Sequence, residues 1–328
     1  MSFRAMTASR VNDKITTRFV EMTDDDLMPG DVVVRVDYST VNFKDAHAIS
    51  GLADVIRQFP MIPGIDFAGT VESSSYPDIA AGDRVVLNGW GVGQGHFGGY
   101  AQKARVKGEW LIRIPDAFST RDAMAIGTAG YTAMLCVIAL EQRGITPGHG
   151  DILVTGASGG LGSIAIALLS KLGFRVVAST GRPNEEPYLR SLGASAIIDR
   201  HLLSEPGEPL GEERWAGAID SVGSHTLATV LGQLRYGGVI AACGVAQGWD
   251  LPVSLLPFIR RNATLIGIDS VMAPLESRQE AWRRLALDLD LDKLAQTTQV
   301  VALSDIKQVV DRMVVGAVRG RTVIDVNG

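Results

Sequence analysis

A glycine-rich turn between two apolar segments restricts the fold of this chain more than any other feature. Residues 151–155 indicate an apolar strand, residues 161–172 indicate a helix of small residues, and the turn between them reads Thr155-Gly156-Ala157-Ser158-Gly159-Gly160-Leu161-Gly162. The stretch therefore predicts a strand, a sharp turn and a helix in direct succession. Predicted strands and helices go on alternating to residue 243, which favours a parallel sheet with helices on both faces.

This turn suits the pyrophosphate of a dinucleotide. Glycine permits both the sharp turn and a close approach of phosphates to the backbone, and Gly162 lets the helix pack closely on the strand. The free amide groups at the start of the helix add a partial positive charge. Because the motif lies in a strand–turn–helix context, we predict a Rossmann-type, doubly wound α/β domain over residues 123–264. The cofactor contacts predicted in this turn are Ser158, Gly159, Gly160, Leu161 and Gly162.

The end of the next predicted strand distinguishes the two nicotinamide dinucleotides. An NAD site places an acidic residue there to bind the ribose hydroxyls, whereas this strand ends in Ser179-Thr180-Gly181-Arg182. No carboxylate there repels a 2′-phosphate, and Arg182 can bind one through charged hydrogen bonds. Arg200, after the following short strand, is a second candidate for the adenine or for the same phosphate. The sequence therefore predicts NADPH as the cofactor.

The rest of the chain has a different character. A length of 328 residues favours two domains, and residues 1–120 alternate short predicted strands with glycine-rich turns, as in a mostly-β module. Residues 120–143 predict a helix with a step at Gly127–Gly130. The tail predicts a strand at 263–268, helices at 274–295 and 306–315, and a closing strand at 320–326, and we expect it to return to the first module. The predicted domains are therefore 1–122 with 265–328, and 123–264.

Composition restricts the partners and the compartment. The formal net charge is −5, so the chain lacks the basic surface that nucleic acid or an anionic membrane requires. No segment is predicted to span a membrane. The two cysteines, Cys136 and Cys243, lie in apolar segments, which favours reduced thiols and a cytoplasmic location over a disulfide framework. The expected partners are small molecules.

Several motifs together resemble those of the medium-chain dehydrogenase/reductase superfamily over essentially the whole chain. Besides the glycine-rich turn, the shared stretches are 41–45, 63–69, 82–85 and 98–101. Others resemble one branch, the NADPH-dependent acrylyl-CoA reductases, whose members are also named quinone oxidoreductases: 42–46, 180–182, 257–261 with 267–271, and 320–323. Position 43 is Phe where many relatives have Tyr, so a hydroxyl is absent here.

The resemblance implies a GroES-like catalytic domain interrupted by the Rossmann domain, with the nicotinamide in the cleft between them. It places four residues near the nicotinamide ribose or ring, namely Asn42, Phe43, Thr128 and Ile268. It adds cofactor contacts at Val222, Gly244, Ser270 and Arg321. The candidate catalytic residues are Asn42, Lys44 and Arg321, which would bind a carbonyl oxygen or supply positive charge, while the proton donor stays open and includes solvent. Such relatives form homodimers or larger homo-oligomers.

We expect no zinc. The zinc alcohol dehydrogenases of this superfamily need a Cys and a Gly-His-Glu in the catalytic domain, where the metal polarises an oxygen. The corresponding stretches here hold Asn42-Phe43-Lys44-Asp45 and Gly64-Ile65-Asp66. Asp66 is expected to shape its turn or to pair with a cation. Tyr100 is expected to pack within its glycine-rich strand, with a proton donor as the alternative role. Without a metal, hydride addition to an activated C=C bond is favoured, because the conjugated carbonyl takes up the charge.

Three functions therefore follow from the resemblance and the residues together. The leading one is NADPH-dependent reduction of acrylyl-CoA to propionyl-CoA. The alternative enzyme is a reductase of quinones or other enones, and the alternative of another class is an NADPH-binding protein without meaningful turnover. For the phosphates of CoA, Arg260 and Arg261 are candidates, with a solvated surface as the alternative role.

Overall fold

The computed structural model describes residues 2–328, which fold into two compact units. Unit 1 contains the chain up to Thr128 together with Ser270–Ala286 and Thr298–Gly328. Unit 2 contains Ala129–Asp269 and Leu287–Thr297. The limits of the functional domains, placed from the sequence at 122/123 and 264/265, stay a prediction.

The strands and helices are numbered in chain order. The strands are β1 (Phe3–Val11), β2 (Lys14–Met22), β3 (Val32–Thr40), β4 (Asp66–Ser74), β5 (Arg84–Asn88), β6 (Lys103–Val106), β7 (Ile112–Arg113), β8 (Asp151–Val154), β9 (Arg175–Thr180), β10 (Ala196–Asp199), β11 (Trp215–Asp220), β12 (Leu234–Ala242), β13 (Thr264–Gly267), β14 (Thr298–Ala302) and β15 (Arg321–Asp325). The helices are α1 (Phe43–Ser50), α2 (Thr120–Gln142), α3 (Gly160–Lys171), α4 (Glu186–Leu192), α5 (His201–Ser204), α6 (Ser224–Gly232), α7 (Leu256–Arg261), α8 (Leu275–Asp288), α9 (Leu291–Thr297) and α10 (Ile306–Val314).

Unit 2 is built on a six-stranded sheet in the order β10-β9-β8-β11-β12-β13. Every neighbouring pair is parallel, as the alternation of strands and helices predicts. All six residues of β11 are buried, which suits a central strand covered on both faces. The strand order reverses between β8 and β11, and ligands of such sheets bind at the carboxyl ends of the strands at this point. The predicted doubly wound α/β fold is confirmed.

Unit 1 contains a seven-stranded sheet whose path is β14-β15-β3-β4-β5-β7, with β6 also pairing with β3. A separate antiparallel pair is formed by β1 and β2. The last strand, β15, pairs antiparallel with β3, so that Val323 lies opposite Thr40. The expectation that the tail returns to the first module therefore holds for the closing strand, whereas Leu287–Thr297 belongs to unit 2. This pairing carries Arg321 to the end of β3, about 280 positions earlier in the chain.

Helix α2 is long and apolar enough to cross a membrane by length and composition, and 78% of its apolar window is buried inside the protein. Its backbone leaves the helical region at Gly127, where φ is 51° and ψ is −162°, at the step predicted from the sequence. The part from Thr128 to Gln142 is about 22 Å long, which is short of a hydrocarbon core of about 30 Å. A buried core helix explains these properties.

Two boundaries predicted from the sequence are wrong. The single helix predicted at 274–295 is two helices, α8 and α9, because the Asp290 carboxylate accepts the backbone N–H of Asp292 at 2.9 Å and of Lys293 at 3.3 Å. This local hydrogen bonding starts a new helix and ends the previous one. Strand β12 begins at Leu234 rather than at 238, since Leu234 already pairs with Trp215 of β11.

Candidate active site and cofactor site

A buried carboxylate, that of Asp66, organises the polar interior of unit 1. Asp66 is the first residue of β4 and has no exposed surface. Its carboxylate accepts hydrogen bonds from Thr40 Oγ1 at 2.6 Å, from Asn42 Nδ2 at 3.0 Å and from the backbone N–H of Thr128 at 2.8 Å. The end of β3, the start of α1 and the kink of α2 therefore converge on one side chain.

A second buried carboxylate, that of Asp45, lies beside the first. Asn42 donates to Asp45 Oδ2 from its backbone N–H at 2.9 Å and from Nδ2 at 3.2 Å, and the Ile65 N–H donates to Oδ1 at 2.9 Å. Burial, followed by repulsion from Asp66, raises the pKa of Asp45 from 3.8 to about 7, although these hydrogen bonds lower it. Its surroundings therefore favour the protonated form of the Asp45 carboxyl far more than water does.

Arg321, the first residue of β15, is 3% exposed and supplies positive charge beside these acids. Its Nε donates to the Ala125 carbonyl at 3.0 Å and its Nη1 to Asn42 Oδ1 at 3.2 Å. Burial lowers the pKa of Arg321 and the two carboxylates raise it, and a guanidinium keeps its proton throughout. Among residues 2–328 no acceptor faces the buried Nη2. This donor is therefore unsatisfied within the described residues, which calls for an explanation in a buried site.

Gly127 leaves space for that donor. Its φ of +51° lies in the left-handed region that favours glycine. A Cβ at this position would collide with Arg321 Nη2 and would lie 3.2 Å from Asp66 Oδ2. Glycine is thus required at position 127 both by the backbone conformation and by the space around Arg321. We call these interacting residues the buried polar network: Thr40, Asn42, Asp45, Asp66, Thr128 and Arg321.

Tyr100 is hydrogen-bonded to this network. It is fully buried and donates its hydroxyl to the Thr40 carbonyl at 2.9 Å. Burial, with the Asp45 and Asp66 carboxylates, raises the pKa of Tyr100 well above 10.0, so the phenol stays neutral. Sequence reasoning missed Asp45 and Thr40. The Asn42-x-x-Asp45 spacing of a capping box was the available signal for Asp45, and no local signal pointed to Thr40.

The other residues predicted for this part of the site lie outside the network. Phe43 is 45% exposed at the start of α1, with its ring 4.2 Å from that of His47. Lys44 is half-buried on the same turn and has no hydrogen bond or ion pair with any residue that the structure describes. The Ser270 carbonyl accepts from Arg278 Nη2 at 3.3 Å. The structure therefore joins Asn42, Thr128 and Arg321 but not Lys44.

The glycine-rich turn of unit 2 follows β8 at the carboxyl edge of the parallel sheet. Gly156 has a φ of +58°, Gly159 is the N-cap of α3, and Gly160, Leu161 and Gly162 form its first turn. A Cβ on Gly162 would lie 2.7 Å from Ala157 Cα, so only glycine fits there. The amide groups of this first turn lack acceptors within the helix, which is the arrangement that binds a pyrophosphate.

Hydroxyls and cations surround the end of β9, where an NAD site would carry an acid. Arg182 Nη2 donates to Ser158 Oγ at 2.7 Å, and the Arg182 N–H donates to Thr180 Oγ1 at 3.1 Å. Ser158 Oγ and Thr180 Oγ1 are 3.4 Å apart. Ser179, at the end of the same strand, is buried and accepts the Ala157 N–H at 3.2 Å through its carbonyl. These groups can bind a phosphate ester through charged and neutral hydrogen bonds.

The remaining predicted contacts of unit 2 also follow the carboxyl ends of parallel strands. They are Val222 after β11, Gly244 after β12 and Ile268 after β13. The buried Asp220 carboxylate fixes the loop that contains Val222, because it accepts hydrogen bonds from Thr155 Oγ1 at 2.7 Å and from the Gly223 N–H at 2.8 Å. Burial raises the pKa of Asp220, and these hydrogen bonds lower it.

Arg261 has a structural role. Its guanidinium donates to the Leu234 carbonyl at 3.0 Å and to the carbonyls of Gly232 and Gly211. It is therefore committed to the backbone, whereas Arg260 is exposed and stays a candidate for the phosphates of CoA. No group of three or more His, Cys, Asp or Glu side chains within residues 2–328 is arranged to hold a metal ion, and zinc independence stays a prediction.

Comparisons with known proteins agree with both folds. Residues 28–116 match the family described as alcohol dehydrogenase GroES-like domain, and residues 160–289 match the one described as zinc-binding dehydrogenase. Acrylyl-CoA reductase AcuI of Ruegeria pomeroyi is 52% identical over 92% of this chain and 92% of its own. The structure of Escherichia coli K-12 YHDH with bound NADPH has a TM-score of 0.97 and 49% identity, over 98% of this chain and 100% of its own.

A more distant structure, Bacillus subtilis yhfP with NAD bound, has a TM-score of 0.96 and 38% identity over 99% of both chains. The predicted combination of a GroES-like domain with a Rossmann domain is therefore confirmed. The chain belongs to the medium-chain dehydrogenase/reductase superfamily and, within it, to the branch that contains the acrylyl-CoA reductase AcuI.

Proposed function

We propose that this protein reduces the activated C=C bond of acrylyl-CoA to give propionyl-CoA, with NADPH as the reductant. The observation that carries the proposal is the 52% identity to acrylyl-CoA reductase AcuI over 92% of both chains. The chemistry of the chain supports it. A buried guanidinium and a dinucleotide turn suit hydride addition to a double bond whose conjugated carbonyl takes up negative charge.

The cofactor is NADPH, which supplies the hydride when bound. The residues of unit 2 fit it: the first turn of α3 offers amide groups to the pyrophosphate, and Ser158, Thr180 and Arg182 offer hydrogen bonds to the 2′-phosphate. A solved relative at 49% identity binds NADPH, whereas one at 38% identity was solved with NAD. Binding of both dinucleotides therefore has to be measured for this chain.

In unit 1 the residue that acts on the substrate is Arg321. Hydride addition at the β-carbon places negative charge on the thioester oxygen, and a preorganised donor in a dry site stabilises that charge. Arg321 Nη2 is such a donor, since it is buried and has no acceptor within the described chain. Asn42 is a positioning residue, because its Oδ1 accepts from Arg321 while its Nδ2 is committed to the network. Lys44 stays a second cationic candidate.

The protein is further proposed to act as a homo-oligomer in the cytoplasm. In unit 2, Trp249 is 88% exposed and Ile259 is 72% exposed, close in sequence to β13, an edge strand of the sheet. Exposed apolar side chains and an uncovered sheet edge both favour association. Cys136 and Cys243 are unbridged, as in a reducing compartment. Size-exclusion chromatography with light scattering tests the assembly, and a monomer at micromolar concentration would contradict it.

The decisive assay follows NADPH oxidation with acrylyl-CoA, crotonyl-CoA and a benzoquinone in parallel, with NADH as the control reductant. We expect the highest kcat/KM with acrylyl-CoA and NADPH. Turnover of the quinone without turnover of either thioester would instead assign a quinone reductase. Binding of NADPH without turnover of any of the three would favour a binding protein.

A further inference from the structure

We propose that Gly181 determines the preference for NADPH over NADH by leaving space for the side chain of Arg200, which then carries the discriminating charge. The inference rests on the proposed cofactor and adds the physical origin of its selection. Arg182 adjoins the same strand end, but its surroundings differ from those of Arg200. Three observations in unit 2 lead to this assignment.

The first observation is that the backbone at position 181 does not require glycine. Gly181 is not among the glycines with positive φ, so an L-residue can adopt its conformation. A Cβ would nevertheless collide with Arg200 Nε and would lie 2.7 Å from Cδ and 2.8 Å from Cζ, so the Arg200 side chain keeps its position only with glycine at 181. The Arg200 side chain therefore lies directly against the main chain of Gly181.

The second observation is that only the side chain of Arg200 is free to move. The Arg200 N–H donates to the Thr180 carbonyl at 3.1 Å, immediately beyond the parallel pairing of Asp199 with Thr180. The Arg200 backbone is thus tied to the end of β9. A methyl group at position 181 would displace the guanidinium while leaving the two strands paired.

The third observation concerns charge. Arg182 Nη1 lies 3.9 Å from Glu185 Oε1, so part of the positive charge of Arg182 is already balanced. The Arg200 side chain is exposed and forms no hydrogen bond or ion pair with a residue in the described part of the chain. The adjacent Asp199 carboxylate is hydrogen-bonded to the backbone N–H of His201 at 2.9 Å and to its ring at 2.8 Å. These hydrogen bonds, with a smaller contribution from the charge of Arg200, lower the pKa of Asp199. Arg200 therefore supplies a positive charge that no direct ion pair holds in place, and NADPH differs from NADH by an anionic group that can use it.

A double-mutant cycle tests this assignment by binding, without any acyl-CoA substrate. Dissociation constants for NADPH and NADH are measured by fluorescence for the wild type, Gly181→Ala, Arg200→Ala and the double variant. Each single substitution should raise the NADPH Kd by about 10- to 100-fold, as for loss of one charged hydrogen-bonding group, and the NADH Kd by less than about threefold. The double variant should bind NADPH no more weakly than Arg200→Ala, because Gly181 acts through Arg200.

The matched control is Gly148→Ala, which adds a methyl group at a glycine of unit 2 with nothing within 4 Å and should leave both constants unchanged. Equal melting temperatures for wild type and Gly181→Ala show that the fold is intact, and Gly181→Ser repeats the test if they differ. A wild type without preference for NADPH would overturn the proposed cofactor itself. A preference that survives Gly181→Ala, or additive effects in the double variant, would overturn the role of Gly181 alone.

Discussion

The substitution Asp45→Asn tests the electrostatics of the buried polar network. Asparagine has nearly the shape of aspartate but cannot ionise, so it removes the titration and keeps the packing. The rise of the Asp45 pKa from 3.8 to about 7 corresponds to about 4 kcal/mol, at about 1.4 kcal/mol per unit. This free energy is the cost of holding an ionised carboxylate beside Asp66, away from water.

The sign follows from proton binding. The folded protein binds the Asp45 proton more tightly than the unfolded chain does, so the free energy of unfolding falls as the pH rises. The contribution is fully present below the unfolded pKa of 3.8 and is lost as the pH passes through the folded pKa of about 7. Between pH 5 and pH 7 the wild type should lose about 2.3 kcal/mol relative to Asp45→Asn, and above pH 8 the difference should level off.

Urea unfolding at several pH values between 5 and 8 measures this difference. Tryptophan fluorescence and far-UV circular dichroism are recorded together, because a chain of two units can unfold in two steps. Asp45→Asn also loses a hydrogen-bond acceptor, which shifts the free energy of unfolding of the variant by the same amount at every pH. The quantity to compare is therefore the slope of the free energy of unfolding with pH. Asp78→Asn, at an exposed carboxyl group, is the control and should parallel the wild type. Parallel curves for wild type and Asp45→Asn would refute the reasoning.

Three further substitutions test other parts of the two sites. Arg321→Gln should lower kcat by at least about 100-fold with a smaller change in the NADPH Kd, as for loss of one donor to a developing oxyanion. The control is Arg312→Gln, at an exposed arginine. Equal losses of kcat in the two variants would contradict the role of Arg321. Arg182→Ala should raise the KM for NADPH by about 10- to 100-fold, and an unchanged KM would remove it from the site. Gly127→Ala should destabilise the protein by more than about 2 kcal/mol, because backbone strain and a collision with Arg321 add. Gly91→Ala, with a φ of +77° and nothing within 4 Å, should show the strain alone, and equal thermal shifts would show that the collision is harmless.

Local features of the fold and of the cofactor site could be predicted because their causes are local. A glycine-rich turn between an apolar strand and a small-residue helix can form only where the backbone bends sharply, and the polarity at Ser179–Arg182 can be read at the predicted end of the next strand. The length of a helix was less predictable. Asp290 ends one helix and begins another through its own side chain, and the apolar spacing of 274–295 does not reveal this competition.

The sequence by itself thus determined a parallel sheet with a dinucleotide turn, an NADPH-type strand end and the family to which the chain is related. Only the tertiary structure brought Arg321 to Asn42, 279 positions away, and placed Asp45 against Asp66 with a pKa near 7. It also showed that Gly181 leaves space for the Arg200 side chain and that its backbone does not need a positive φ. The physical reason is that burial and neighbours a few ångströms away set the pKa of an ionisable group. They also decide whether a hydrogen-bond donor is left without an acceptor. Those neighbours come from strands and helices that pack together only in the folded chain.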